Sequence, residues 1–188
     1  MAALTGERLA TTSDVDLRAV ARHFPRGVTI VSAVDRGVVR AMTADSFTTV
    51  SLDPLLVLVV VNRGGQMHDV LTAADGFGLS ILGAHQEQLA GLFADSGRSS
   101  GWAQFATVPW WPAPTSGAPL LHESPGWLDC RIYDVLPGGD HALVLGEVMH
   151  AFLGMHRAPL VRYDGAYRRI HDAHAAPIQS ATKGGDKP

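Results

Sequence analysis

The sequence predicts a mainly β protein built as an antiparallel barrel. Three observations carry this reading. Short runs rich in β-branched residues recur along the chain, tight-turn residues join most of them, and few segments show helical spacing. Six or seven strands with so few helices favour a closed antiparallel barrel over a doubly wound parallel sheet. The 188 residues suit one domain, and a hydrophobic fraction of 46% is ample for a core.

The elements follow in order. Residues 1–12 read as a flexible leader and 13–170 as the folded domain. Ser13 or Asp14 can cap a helix, and Leu17, Val20, Ala21 and Phe24 then repeat at helical spacing until Pro25 stops the run. That amphipathic helix needs a sheet or a partner chain to lie on. Gly27 to Val34 is a strand. Asp35-Arg36-Gly37 turns the chain back through Val38, Val39 and Arg40 as a hairpin. Thr43 to Val50 is polar on one side, Asp53-Pro54 breaks the chain, and Leu55 to Val61 is a buried strand. Met67 to Ala74 reads as a short helix, Phe77 to Leu82 as a strand and His85 to Phe93 as a helix. From Asp95 to Gly126 periodicity fails, and Trp102, Phe105, Trp110 and Trp111 lie among prolines; a loop this long is usually functional or packed on a neighbour. Trp127 to Tyr133 and His141 to Phe152 are strands split by Pro137-Gly138-Gly139-Asp140. Tyr163-Asp164-Gly165 joins two last extended pieces, and 171–188 read as a disordered tail.

Composition excludes several functions. Lys plus Arg is 15 and Asp plus Glu is 18, a net charge of −3, without the clustered basic face that nucleic acid requires. The longest clean apolar run, Leu55 to Val61, is far below the roughly 18 residues of a membrane helix. The first residues lack a signal-peptide pattern, and the one cysteine, Cys130, has no disulfide partner, so the cytoplasm is the expected compartment. No G-x-G-x-x-G follows a strand and no Walker-type loop exists. Gly97-Arg98-Ser99-Ser100-Gly101 matches G-x-S-x-G but lacks the strand that a nucleophile elbow needs before it. The histidines show no metal-ligand spacing, and Cys130 in an apolar strand reads as inert filling.

Three segments concentrate polar groups against apolar walls. Met42-Thr43-Ala44-Asp45-Ser46 offers small hydroxyl residues that let a flat ligand approach the backbone; it also reads as an ordinary Thr-rich strand. Asn62-Arg63-Gly64-Gly65 ends a buried strand with an arginine and glycine donors suited to phosphate; it also reads as a surface turn. Gly138-Gly139-Asp140-His141 places a histidine just past a tight turn, where it either faces a pocket or satisfies local structure.

Together these pieces resemble the short-chain flavin reductases, the FMN-binding split-barrel family. The resemblance rests on Phe24-Pro25-Arg26-Gly27-Val28-Thr29-Ile30-Val31, on Met42 through Pro54, on Gly139-Asp140-His141 with Leu145-Gly146-Glu147-Val148, and on Tyr163 to Arg168. It covers about residues 15 to 170, and the four motifs stand in the family's order.

The resemblance implies a six-stranded antiparallel split barrel with a few flanking helices, and a homodimer with flavin near the subunit interface. It implies an NAD(P)H:flavin oxidoreductase that passes hydride from NADH or NADPH to FMN or FAD. Reduced flavin then diffuses to a flavin-dependent oxygenase partner. Met42, Thr43, Ala44, Asp45, Ser46 and Ser51 are implied to bind flavin, and Asn62, Arg63 and Gly65 its ribityl phosphate. Asp140 and His141 are implied to meet the nicotinamide dinucleotide, with His141 in the catalytic position. One departure stands out. Relatives often carry Ser and Thr where this chain has Gly65 and Met67, so either flavin is held weakly here or phosphate falls to Arg63 and to backbone groups such as the Gly65 N–H. The competing reading is a flavin-binding electron carrier or storage protein without nicotinamide-dependent activity.

Overall fold

The computed structural model describes residues 17–170. The expected leader, the capping Ser13 or Asp14 and the expected tail lie outside these residues. Helix α1 (Leu17–Ala21) ends before Phe24, to which its apolar spacing carries, and Leu17, Val20 and Phe24 are exposed rather than packed. Strand β1 (Arg26–Gly27) splits off from the run that follows, and Thr29–Asp35 forms β2. The chain turns at Arg36 and Gly37, both at positive φ, into β3 (Val38–Ala44). The polar stretch after it is not one strand. β3 ends at Ala44, Asp45–Phe47 makes a corner, and β4 (Thr48–Leu52) begins a new direction. Strand β5 (Leu55–Asn62), helix α2 (Gln66–Ala73) and strand β6 (Gly76–Ile81) follow where the sequence puts them.

The predicted helix over His85–Phe93 forms as a short 3-10 turn, Ala84–Gln86, running into α3 (Glu87–Ala94). The irregular stretch holds a 3-10 turn (Gly101–Phe105) and a small ladder of β7 (Trp110–Pro112) with β8 (Pro119–Leu121). Strands β9 (Gly126–Gly138) and β10 (His141–Leu153) form one long hairpin. β9 runs on through Pro137, past the end at Tyr133 that the sequence suggests. The last hairpin, β11 (Leu160–Tyr163) and β12 (Ala166–Arg169), joins β1 in a separate three-stranded sheet.

The main sheet is antiparallel throughout, in the order β3-β2-β6-β9-β10-β5-β4. Its two edge strands, β3 and β4, are joined by only three residues. A connection that short cannot span a flat seven-stranded sheet, so the sheet must curl until its edges meet at this corner. The result is the antiparallel split barrel that the resemblance implies. β4, a five-residue edge, brings the main sheet to seven strands.

Two cores sit on the two faces of the curled sheet. On one, Val31, Ala33, Val57, Val59, Val61, Phe77, Leu79 and Val144 pack with Met67, Val70 and Leu71 of α2. On the other, Val28, Ile30, Val39 and Ala41 pack under Ala90 and Phe93 of α3 and under Phe105 and Val108. β2 therefore contributes to both, which is why its sequence is a continuous β-branched run rather than an alternation. Its buried hydroxyls are satisfied: Ser32 donates to the Pro119 carbonyl at 2.6 Å and Thr29 to the Ala44 carbonyl at 3.0 Å.

Candidate functional site

The three polar segments meet at one end of the barrel. β5 and β10 pair with His141 opposite Asn62. The Arg63 N–H donates to the Asp140 carbonyl at 3.0 Å, so the turn after β5 and the turn before β10 are bonded together. The Ser46 hydroxyl accepts from the Val60 N–H at 3.0 Å and donates to the Val60 carbonyl at 3.2 Å. That clips the β3–β4 corner to the same end of β5.

Along β3 the side chains alternate. Arg40, Met42 and Ala44 share one face, and Ala41 and Thr43 the other. The Thr43 hydroxyl donates to the Ala90 carbonyl at 2.7 Å, tying β3 to α3. Ala44 is buried. Asp45 pairs with Arg26 at 3.1 Å, both half-exposed. Beside them Thr43, Asp45, Arg162 and Tyr167 line a hollow of about 210 Å3, in which the Arg162 guanidinium lies 4.9 Å over the Tyr167 ring. The closing Tyr-Asp-Gly-Ala-Tyr-Arg element thus reaches the Met42–Ser46 segment.

β3 is an edge strand, and side chains rather than another strand seal part of it. Gln104 accepts the Ala41 N–H at 3.1 Å and donates to the Val39 carbonyl at 3.3 Å. Arg98 donates to the Ala41 carbonyl at 2.5 Å. Because backbone direction alternates along a strand, Thr43 points its N–H and C=O outward on the same edge as Ala41.

An open pocket of about 370 Å3 adjoins this edge, lined by Arg40, Met42, Arg98, Gln104 and the Gly64–Met67 entry into α2. Arg40 and Arg98 escape a sequence reading. One looks like a solvated strand residue, and the other is hidden in a Gly-x-Ser-x-Gly match. The only signal for Arg40 is its period-two spacing from Met42 and Ala44.

Several expected contributions differ. The Gly65 N–H is not free for a ligand; it donates to the Asn62 carbonyl at 3.1 Å. Asn62 Oδ1 accepts the Gly64 N–H at 2.8 Å, closing an Asx-type turn. Arg63 is exposed and does not line the pocket. Ser51 pairs with Leu56, and its hydroxyl accepts the Asp53 N–H at 3.2 Å. The stretch from Leu56 to Asn62 is roughly 20 Å of strand, so Ser51 stands apart from the other site residues within one chain.

His141 places Nδ1 2.7 Å from Asp140 Oδ1. A carboxylate only accepts, so Nδ1 carries the proton, and in the neutral ring Nε2 is an acceptor. The bond to His141 and its charge hold the Asp140 carboxyl below its ordinary value. Burial pushes the Cys130 thiol up to about 12, in keeping with inert filling. Among the described residues no group of three or more His, Cys, Asp or Glu is placed to hold a metal ion, and no helix is long and apolar enough to cross a membrane.

Comparison with known proteins shows the family. The flavin reductase like domain matches residues 21–171. The chain is similar to an NADH-dependent FAD reductase of Streptomyces globisporus, 44% identical over 156 residues that cover 83% of this chain and 85% of the relative. It is also similar to an NADH:FMN oxidoreductase of Rhodococcus erythropolis, 35% identical over 82% of this chain and 80% of that one. Among solved structures, the Streptomyces globisporus NADH:FAD oxidoreductase in complex with NAD and FAD fragments superposes with a TM-score of 0.80 at 41% identity, covering 89% of this chain and 100% of that chain. The flavin reductase component of a bacterial two-component tryptophan halogenase gives 0.79 at 36% identity, over 83% and 97%.

Proposed function

The chain belongs to the flavin reductase like domain family, and from that premise we propose that it is an NAD(P)H-dependent flavin reductase supplying reduced flavin to a partner monooxygenase. The observation that carries the reading is the convergence of Met42–Ser46, Asn62–Arg63 and Asp140–His141 at one end of the barrel.

The residues present fit a flavin. The β3 edge at Thr43 presents a backbone donor and acceptor, and the buried Ala44 beside it adds no bulk at that edge. When bound, flavin supplies the hydride acceptor and the nicotinamide dinucleotide the donor. The chain's own residues bind and orient. The outward Thr43 N–H is placed to stabilise negative charge developing on a ring at that edge. Ser46 fixes the corner, and Asp140 fixes the ring of His141. With Nδ1 held by Asp140, Nε2 is the ring nitrogen that His141 leaves for a polar group of the dinucleotide. Hydride transfer requires no general base.

The active form is a homodimer in this reading. Leu17, Val20 and Phe24 along the α1 segment and Leu52, Leu153 and Met155 elsewhere are apolar and exposed in the single chain, at 72%, 62%, 69%, 84%, 95% and 72%. A second copy would cover such surface. Light scattering after size exclusion gives twice the chain mass if this holds.

The deciding assay follows the nicotinamide absorbance with NADH or NADPH and an excess of FMN or FAD. Oxidation that depends on flavin supports the reading. Flavin binding without oxidation would leave the electron-carrier reading in its place.

A further inference from the structure

We infer that the pocket between β3, the start of α2 and the 96–104 segment is a phosphate subsite, in which Arg40 and Arg98 hold the phosphoryl end of the flavin nucleotide. The inference rests on the flavin reading of the neighbouring β3 edge and goes beyond it. It assigns to two arginines the work that Gly65 and Met67 cannot do with hydroxyls.

The pocket is continuous with that edge. Met42 belongs to both, and Gly64 to Met67 form the far wall. Its charge is uncompensated. Arg40 and Arg98 line it together, and no Asp or Glu does. Among the described residues, no carboxylate lies within ion-pair distance of either guanidinium. The nearest acid along the chain, Asp95, accepts the Gly97 N–H at 2.8 Å instead.

Arg98 is held in place by donating to the Asp95 carbonyl at 2.6 Å and the Ala41 carbonyl at 2.5 Å. Neutral carbonyls orient a cation without cancelling its charge. Burial and then the neighbouring Arg40 lower the Arg98 pKa from its ordinary value, with Asp95 acting the other way. Two guanidinium groups that line one pocket repel, and an anion bound between them makes the interaction attractive. Arg40 spends little of its donor capacity within the chain: among the described residues its one side-chain hydrogen bond runs from Nη1 to the Val39 carbonyl at 3.2 Å, which leaves Nη2 for a ligand. Ser96, Ser99 and Ser100 supply hydroxyls around the same space.

The test is equilibrium titration by flavin fluorescence, comparing FMN with riboflavin, which lacks the phosphate. Wild-type protein is expected to bind FMN at least about tenfold more tightly than riboflavin, the scale of one charge-assisted hydrogen bond. Arg40→Gln is expected to weaken FMN about tenfold and leave riboflavin within about twofold. Arg40 is the safer variant because its one backbone bond is to the adjacent Val39 carbonyl, and an unchanged melting temperature verifies the fold. Inorganic pyrophosphate is expected to displace FMN but not riboflavin. Equal loss of both flavins in Arg40→Gln, or no loss of FMN, overturns the subsite. A raised KM for NADH with FMN binding intact also overturns it, by assigning the arginines to the dinucleotide phosphates. Wild-type protein that binds neither flavin defeats the reading of the β3 edge itself and this subsite with it.

Discussion

One hydroxyl, that of Ser46, closes both hydrogen-bonding positions of Val60, accepting its N–H at 3.0 Å and donating to its carbonyl at 3.2 Å. The corner after β3 is thereby locked to β5 by a side chain acting as a missing stretch of strand. Ser46→Ala removes both bonds and leaves two part-buried backbone groups wanting partners. A destabilisation of about 1–3 kcal/mol is expected, read by urea unfolding. The KM for flavin should rise as the Thr43–Asp45 backbone loses its fixed position. A variant as stable as wild type would show that the corner is held by its packing alone.

His141→Ala should raise the KM for the nicotinamide substrate more than it weakens flavin binding. The prediction follows from the Asp140 bond, which leaves Nε2 as the ring's one free nitrogen. Steady-state kinetics with each substrate varied in turn separates the two effects. An unchanged nicotinamide KM removes His141 from the site.

Asp140 gives a pH dependence with a definite sign. Its folded pKa lies below the ordinary value, through the bond to His141 and its charge. The contribution to stability is therefore fully present above the ordinary carboxylate range, and it is lost as pH falls through the lowered folded value. Wild type and Asp140→Asn should differ in stability near neutrality and converge under strong acid. Melting temperatures over an acid series check this. A gap that widens on acidification contradicts it.

Cys130 should resist thiol reagents in the folded protein. It is fully buried, and its pKa of about 12 leaves almost no thiolate at neutral pH. Labelling with a disulfide reagent should become rapid only in denaturant. Fast labelling of native protein would show that the β9 face opens readily.

Gly146 is fixed by crowding. A Cβ there would sit 2.5 Å from the Phe77 ring and 3.0 Å from Cys130 Cβ, in the fully buried centre of one core. Gly146→Ala should cost about 1–3 kcal/mol, with thermal unfolding as the measure. A neutral effect would mean that the Phe77 ring shifts at little cost.

The sequence makes the strands legible because each short β-branched run meets a turn signal at its end. Leu55–Val61 and the Asp35-Arg36-Gly37 turn are cases in point. Long-range pairing is what local patterning hides. Nothing near Thr43 shows that a corner separates Ala44 from Thr48, since both flanks share the same Thr-rich composition. The Met42–Ser46 and Asp140–His141 segments are visible as polar islands, and the roles proposed for them come from family resemblance. The arginine pair is invisible for a physical reason: Arg40 and Arg98 come together only through folding, and an isolated arginine looks solvated wherever it stands. Ser51 shows the converse. It shares a continuous stretch with Met42–Ser46, yet the direction change at the corner carries it away from them.

The register that sets His141 against Asn62 also governs when the site can come into being. These residues are far apart along the chain, and the β9–β10 hairpin must fold and dock on β5 before they meet. Closing such a large loop is entropically slow, so chains rich in distant pairings reach the native state later than helical ones. On the ribosome, the half of the proposed site on β3 and β5 emerges well before the half on β10. A nascent chain can therefore bury much of its first core while remaining unable to engage its substrates, and catalytic competence is among the last properties it acquires.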